Sequence, residues 1–442
     1  MSSYVIVGNG AAGVTAAETV RQQDPGGEIT IVGKEPYPIY SRPGLAYVLT
    51  SDIPAQQIYA RSPEWYTHFR IQFVHGRANR LDTIYQKLFL ADGRILRYDR
   101  LLIATGSKAT PAPYPGADLN GVVYLDTLDG TKALMKQARR GRRAVVIGGG
   151  ITAMEMAEGL AQRGVKTHYF LRGGRLWKRT FNKEEADLLA KKIQVHGVQI
   201  HYHTQLNQIL GNRRGKVRGV ELADGREFPC DLVGVAIGVK PDLDLVRGTA
   251  VETDRGILVN EYLQSNISHV FAAGDCAQVY DRWTEKHMLD ILWPSAVAEG
   301  RAAGLAMAGN GAPYRKGVPF NACLLFGLHI SVMGQINPQR EEEADVIQHL
   351  SRGSSEVWHT FGRHYDSAWS EHNGSTIRLV LDGDYLTGAL VIGEQRLADP
   401  LRHIIEKRVN IAHMRPQLQT GGKSMRQALT RFWAKQTAVA AV

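Results

Sequence analysis

Residues Tyr4-Val5-Ile6-Val7-Gly8-Asn9-Gly10-Ala11-Ala12-Gly13 decide the fold. The short apolar run reads as a buried strand, and Val14 to Gln22 reads as a helix, so the order is strand, G-x-G-x-x-G, helix. Gly8 permits a tight turn, Gly10 lets the backbone approach a pyrophosphate, and Gly13 allows close helix–strand packing. Ala11 and Ala12 complete the turn. The helix that follows offers its free N–H groups and positive dipole end to the phosphates. A second apolar strand, Glu28 to Val32, comes next, and Glu35 just beyond it is placed to accept a hydrogen bond from a ribose hydroxyl.

The pattern occurs twice. Arg143 to Ile147 is a second strand candidate, followed by Gly148-Gly149-Gly150-Ile151-Thr152-Ala153 and a helix over Met154 to Arg163. Ala153 takes the third glycine's place, a permitted variant. After the next strand, Val165 to Leu171, an NAD site would place Asp or Glu. Here Arg172 follows, with Lys178 six residues on. A carboxylate holds the ribose 2′-OH of NADH but repels a 2′-phosphate, whereas cations attract it. NADPH is therefore expected over NADH. Arg172 as a merely solvated strand-end cation leaves NADH open. Two such sites on one chain suggest two different dinucleotides, one a tightly held flavin and the other a mobile nicotinamide.

Composition narrows the rest. At 442 residues the chain exceeds one ordinary core. Its 44% hydrophobic and 22% charged content suits a globular protein. Val318 to Gly334 is interrupted by Asn321 and His329 and reads as core rather than a membrane span. The first apolar run is too short for a signal peptide, so a cytoplasmic location is expected. Cys230, Cys276 and Cys323 form no C-x-x-C or C-x4-C pair, which argues against structural zinc, a disulfide framework or a redox dithiol, and no metal site is expected. The net charge of +10 is concentrated in Lys132 to Arg143, Arg172 to Lys183 and the tail after Arg408. No nucleic-acid motif accompanies it, which leaves anionic cofactors and an acidic partner as its expected uses.

Further segments carry a family resemblance. Leu101-Leu102-Ile103-Ala104-Thr105-Gly106-Ser107, "VGVAIGVKP" (Val233 to Pro241) and "HVFAAGDCA" (His269 to Ala277) stand in the order found in two-dinucleotide flavoproteins. Over roughly residues 1 to 405 the chain resembles the FAD-dependent pyridine-nucleotide disulfide oxidoreductase superfamily. Within it, the chain resembles the branch of NAD(P)H:rubredoxin reductases, ferredoxin reductases and nitrite-reductase flavin domains. The resemblance implies an α/β fold with two Rossmann-like dinucleotide-binding domains, glutathione-reductase-like, plus a C-terminal α+β interface domain. The expected boundaries are 1–112 and 241–317 for a discontinuous FAD domain, 113–240 for the NAD(P)H domain and 318–412 for the interface domain. A basic amphipathic tail over 413–442 completes the chain.

The resemblance also implies roles for residues. Glu35 would hold the adenosine ribose, Arg42 the FAD phosphate and Lys34 the adenine side. Ala78 would meet adenine through its backbone, Thr105 and Gly106 belong to the "ATGS" turn, and Asp275 would bond the ribityl chain or a water linked to the pyrophosphate. Trp293 opens a helix aimed at the pyrimidine edge of the flavin. Gly238 lies in the strand closing the nicotinamide domain. Glu155 matches a glutamate near nicotinamide and flavin, where it would position rather than catalyse. Relatives that reduce disulfides or peroxide carry a cysteine where this chain has Pro43, so thiol relay chemistry is not expected. Many relatives pair the glutamate with a lysine where this chain has Tyr47, and the Tyr47 hydroxyl is expected to bond Glu155 instead.

The expected activity is hydride transfer from NADPH to FAD and onward transfer to an external acceptor. A small acidic carrier such as rubredoxin or ferredoxin is the first expectation. A quinone at a membrane surface is the competitor, and a NADPH-sensing flavoprotein with little turnover is a third reading. Ser375 to Glu394 reads as a hairpin around Asp382-Gly383-Asp384. In the tail, Met425, Ala428, Leu429, Phe432 and Trp433 recur at helical spacing. That face would dock on the protein's own body or a dimer partner, or touch an anionic membrane peripherally. Monomer and homodimer both stay open.

Overall fold

The doubly wound arrangement follows directly from the two glycine turns. In the computed structural model, which describes residues 1–281, 285–336, 354–355, 366–372 and 375–440, the chain divides into two compact units. The first takes in residues 1–172 and 198–316. In chain order its main elements are β1 (Ser3–Val7), α1 (Ala11–Gln23), β2 (Glu28–Gly33), α2 (Gly44–Thr50), β3 (Ile71–His75), β4 (Arg100–Ile103) and β5 (Val122–Val123). They continue with β6 (Arg143–Ile147), α3 (Ile151–Gln162), β7 (Lys166–Phe170), β8 (Gln199–His201), β9 (Leu232–Val235), β10 (Val270–Ala272) and α4 (Trp293–Met307).

These strands build two five-stranded sheets of matching design, β3-β2-β1-β4-β10 and β8-β7-β6-β9-β5. Every neighbouring pair in both is parallel. In each, the strand that feeds the glycine turn is central, flanked by the strand after its helix and by a much later strand. That is the topological switch point, where ligands meet the carboxyl ends of an open parallel sheet. Both sheet faces are covered, which is why the strands are continuously apolar: Ile6, Ile31, Leu101, Val145, Val146 and Val233 are fully buried. Helix α4 lies against α1 at backbone distance. A Cβ on Gly300 would stand 2.2 Å from the Ala12 carbonyl oxygen, so only glycine allows this crossing. Its N-terminus is thereby fixed relative to the first glycine turn.

One expected strand is corrected. Val233 to Pro241 is not continuous. The chain leaves β9 at Val235, turns through Gly238 at φ +120, and re-forms as Val239–Pro241, antiparallel to Ser107–Ala109. The positive φ that glycine allows turns the chain between the two strands.

At the outer strands of the second sheet, His168 Nδ1 and His201 Nε2 lie 3.0 Å apart beside the Phe170 and Phe228 rings. Burial, then the neighbouring His201, Arg143 and Lys166, push His168 down to about 4. The folded state thus refuses a proton that the unfolded chain takes below its ordinary value near 6.5. Stability is unaffected above that value and falls as pH drops from about 6.5 toward 4. His168→Gln should flatten this limb of a stability–pH curve measured by urea unfolding; an unchanged slope would refute the assignment.

The second unit takes in residues 173–197 and the described residues from 317 on, apart from 354–355. Its antiparallel sheet runs Phe320–Leu325, Leu328–Gly334, Tyr385–Ile392, Ser375–Asp382, Asp366–His372. The hairpin expected at Asp382-Gly383-Asp384 is there, with Gly383 at φ +57. Segment 173–197 joins this sheet through a buried ion pair, Arg378 Nε to Glu185 Oε1 at 2.8 Å. Arg378 also donates to the Thr180 carbonyl at 2.7 Å and to that of Ile336. Glu185 in turn closes a capping box with Asn182 at the start of helix Lys183–Val195. The tail forms helix Gly422–Ala440, and its apolar stripe is covered within this unit: Met425 and Leu429 are fully buried with Leu401, Ile404 and Ile405 of helix Ala398–Glu406.

Candidate functional site

At the first turn the three glycines divide their work in a way the sequence pattern only hints at. Gly8 sits at φ +125, and a Cβ there would lie 1.9 Å from the Ala104 carbonyl oxygen; a Cβ on Gly13 would lie 2.0 Å from that of Gly8. Both are required by the fold itself. Gly10 is different. Its φ of −96 suits any residue, and a Cβ there meets nothing within 4 Å. Its missing side chain leaves an open cradle in front of α1. Gly10 is also the N-cap of α1, makes no side-chain cap, and is followed by no acid in the first turn. The N–H groups of that turn therefore face the cradle with only the backbone around them, the donor set a pyrophosphate needs.

Polar groups converge beyond β2. Arg42 Nη2 lies 3.0 Å from Glu35 Oε1, and the Tyr40 hydroxyl donates to Glu35 Oε2 at 2.8 Å while accepting from the Leu128 N–H. Arg42 Nη1 donates to the Asp126 carbonyl at 2.8 Å. The structure thus brings Glu35 and Arg42 together in one network, with Tyr40 and Asp126 as members that the sequence reading did not assign. Lys34 Nζ lies 3.9 Å from Asp242 Oδ2, and the Thr105 hydroxyl donates to the Asp242 carbonyl at 2.7 Å. Gly106 has φ +71. Asp275 follows β10 and accepts from the Ser107 hydroxyl at 2.6 Å. Ala78 starts the strand Ala78–Asp82, and Trp293 is part-buried against the main core at the first residue of α4. The open cradle, the uncapped helix and the acid and base beyond β2 fit FAD.

The second turn repeats the first. Gly148 has φ +145, and a Cβ there would stand 2.1 Å from the Ala236 carbonyl oxygen. Gly150 is the extended, uncapped N-cap of α3, whose first turn, including Ile151 and Thr152, has no acid. Arg172, just past β7, is exposed and forms no hydrogen bond or ion pair among the described residues. Lys178 belongs to the second unit and has interactions of its own. These features fit an anionic dinucleotide.

Helices α2 and α3 pack directly on each other. The Leu49 side chain fills the space over Gly159, and Arg163 Nε donates to the Leu49 carbonyl at 2.9 Å. Tyr47 on α2 and Glu155 on α3 are both half-buried. Of the cysteines, burial pushes the Cys230 thiol up to about 12 and the Cys276 thiol up to about 11. Cys276 Sγ donates to the Ile103 carbonyl. Such thiols are poor nucleophiles. Among the described residues no group of three or more His, Cys, Asp or Glu is placed to hold a metal ion, and no helix is long and apolar enough to cross a membrane.

Two sheets of one design, each with an uncapped glycine turn at its switch point, define a two-dinucleotide α/β protein. The chain belongs to the pyridine nucleotide-disulphide oxidoreductase family, whose model matches residues 2–300, and so to a family of FAD-dependent NAD(P)H oxidoreductases. It is 28% identical to a nitrite reductase [NAD(P)H] of Bacillus subtilis (strain 168) over 96% of its own length, which is half the length of that relative. It is 30% identical to the putidaredoxin reductase of Pseudomonas putida, covering 70% of this chain and 74% of that protein. Among solved structures, a ferredoxin reductase from Rhodopseudomonas palustris superposes with a TM-score of 0.82 at 22% identity, covering 95% of this chain and 97% of the other. That likeness establishes the fold.

Proposed function

We propose that this chain takes a hydride from NADPH, bound at the second glycine turn, into FAD bound at the first, and hands the electrons to a small acidic electron-carrier protein. The observation that carries the reading is Arg172 at the end of β7, exposed and without a hydrogen bond or ion pair among the described residues, beside a turn otherwise equivalent to the one at Gly8 to Gly13. Gly148, Gly150, Ile151 and Thr152 supply the turn and N–H groups for the second cofactor, and Gly238 clears its approach. Gly8 to Gly13 with Lys34, Glu35, Arg42, Ala78, Thr105, Gly106 and Asp275 hold the first. Glu155 and Tyr47, on the packed pair α2 and α3, position the nicotinamide through a Tyr47–Glu155 hydrogen bond. No cysteine relays electrons. The proposed organisation is an FAD domain, a nucleotide domain and an interface domain.

The likeness to putidaredoxin reductase, together with the +10 charge, supports a protein acceptor. The test is a rate panel: NADPH and NADH, each with rubredoxin, ferredoxin, a soluble quinone and oxygen. The expected result is turnover with an acidic carrier that falls by at least about 10-fold as salt rises to roughly 0.5 M, since charge-steered encounter is screened. Salt-insensitive turnover with quinone alone would overturn the acceptor assignment. Failure of NADPH to reduce the bound flavin at a turnover-competent rate would overturn the enzymatic reading in favour of sensing.

A further inference from the structure

Behind the N-terminus of α4 lies a buried charge cluster. Lys316 Nζ stands 3.3 Å from Asp281 Oδ2 and 3.2 Å from Asp290 Oδ2, with all three side chains 1% exposed. Ser295, in the first turn of α4, donates to Asp290 Oδ2 at 3.2 Å. Glu299, one turn further along α4, is 2% exposed, and its Oε2 accepts from the Gly274 N–H at 2.7 Å, one residue before Asp275. The residues facing Glu299 can be taken element by element. Helix α1 meets α4 beside Glu299 through Ala12 and Ala16, against Gly300 and Gly304, and β10 carries no charge. The loop after β10 brings Asp275, the strand Asp290–Ile291 brings Asp290, and the segment after α4 brings Tyr314 and Lys316. Asp281 completes the set through Lys316.

Among the described residues the Lys316 cation faces Asp281, Asp290 and Glu299, while Asp275, beyond Gly274, also neighbours the Arg42 guanidinium. Ionising Glu299, which is 2% exposed and close to Asp290, would place a further negative charge in a dry site beside a like charge, which is costly. We propose that Glu299 is held as a neutral carboxylic acid and that, with Lys316, it keeps the buried charge behind α4 low enough for the helix terminus to stabilise the negative charge the flavin gains on taking a hydride. It is a positioning role exerted through the helix field, and it rests on the placement of FAD at the first glycine turn. Hydride transfer adds two electrons and one proton to the flavin and leaves the nicotinamide a cation, so the ring system gains one negative charge. The terminus of α4 has no first-turn acid and no side-chain cap. It remains an effective positive end only if Asp290 is balanced. Burial, then the proximity of Asp290, pushes the Glu299 carboxyl well above the usual carboxylate range, in line with a retained proton. Lys316 is shifted upward: burial opposes its charge, but Asp290 and Asp281 outweigh it.

Two measurements test this. First, apoprotein unfolding is followed between pH 5 and 8 for the wild type and Glu299→Gln. A retained proton means that stability from Glu299 is fully present below the unfolded carboxyl value and is lost as pH rises toward the folded one. The stability advantage of Glu299→Gln should therefore grow with pH, and a flat difference overturns the neutral acid. Second, flavin midpoint potentials are read by spectroelectrochemistry on holoprotein. Lys316→Met should lower the potential, Asp281→Asn should raise it, and Glu299→Gln should leave it at the wild-type value at pH 7. If Lys316→Met does not fold, Asp281→Asn alone decides the sign. Unmoved potentials overturn the electrostatic role if Gly10→Val has lost FAD. If Gly10→Val keeps FAD, the placement of the flavin has failed instead, and the apoprotein titration still decides the state of Glu299.

Discussion

Gly10→Val should give a folded protein that no longer retains FAD. The position is extended at φ −96 and a Cβ there meets nothing within 4 Å among the described residues, so β-carbon crowding does not oppose the substitution. The direct cost is replacing glycine at an N-cap, about 1 kcal/mol. What the isopropyl group fills is the cradle over the free N–H groups of α1. Displacing a pyrophosphate from even one or two charge-assisted hydrogen bonds costs roughly 1.5–3 kcal/mol each, so FAD affinity should drop on the order of 100-fold or more. Gly8→Ala is the counterpart. Its Cβ would overlap the Ala104 carbonyl at 1.9 Å and sit at φ +125, so it should destabilise the apoprotein itself. FAD-to-protein ratios by absorbance and apoprotein thermal unfolding separate the two. A Gly10→Val protein that keeps a full complement of FAD would rule out the first turn as the flavin site.

Those two glycines also mark how far the sequence could be read. Spacing alone located both turns, their strands and their helices, because strand–turn–helix packing is a local matter of φ angles and close approach. Spacing expects Gly8 to serve the turn and Gly10 the ligand, but it could not show the contact that makes Gly8 indispensable, since that comes from Ala104, some ninety residues away. The break at Gly238 was missed for a related reason. An apolar run carries no mark of which neighbour it will pair with, and here its end pairs with Ser107–Ala109 instead of β6. Order along the chain also gives no sign of the buried partner of Glu185, which is Arg378, almost two hundred residues on. The cluster of Asp281, Asp290, Glu299 and Lys316 left no sequence signal because its members come from four separate segments: two strands, helix α4 and the loop after it. Glu35 and Arg42, by contrast, lie seven residues apart in the chain. Their mutual ion pair shows that the two groups assigned to ribose and phosphate also hold each other in place.

Arg172→Ala should raise the KM for NADPH by about 10- to 100-fold while changing that for NADH by no more than about 3-fold. A 2′-phosphate at the end of β7 needs a cation, and Arg172 is exposed and forms no hydrogen bond or ion pair among the described residues, so binding would sacrifice no existing interaction. A hydrogen bond to a charged group is worth roughly 1.5–3 kcal/mol, which sets the lower and upper ends of the range. Arg172→Asp should go further and reverse the preference, because a carboxylate repels the phosphate and accepts from the free 2′-hydroxyl of NADH. Steady-state kinetics with both nucleotides at constant ionic strength measures this. Because uniform binding loss appears in KM and not in kcat, an effect confined to kcat would point to a misplaced nicotinamide rather than a lost phosphate contact. Equal KM changes for the two nucleotides would reduce Arg172 to a solvated strand-end cation and return NADH as the hydride donor.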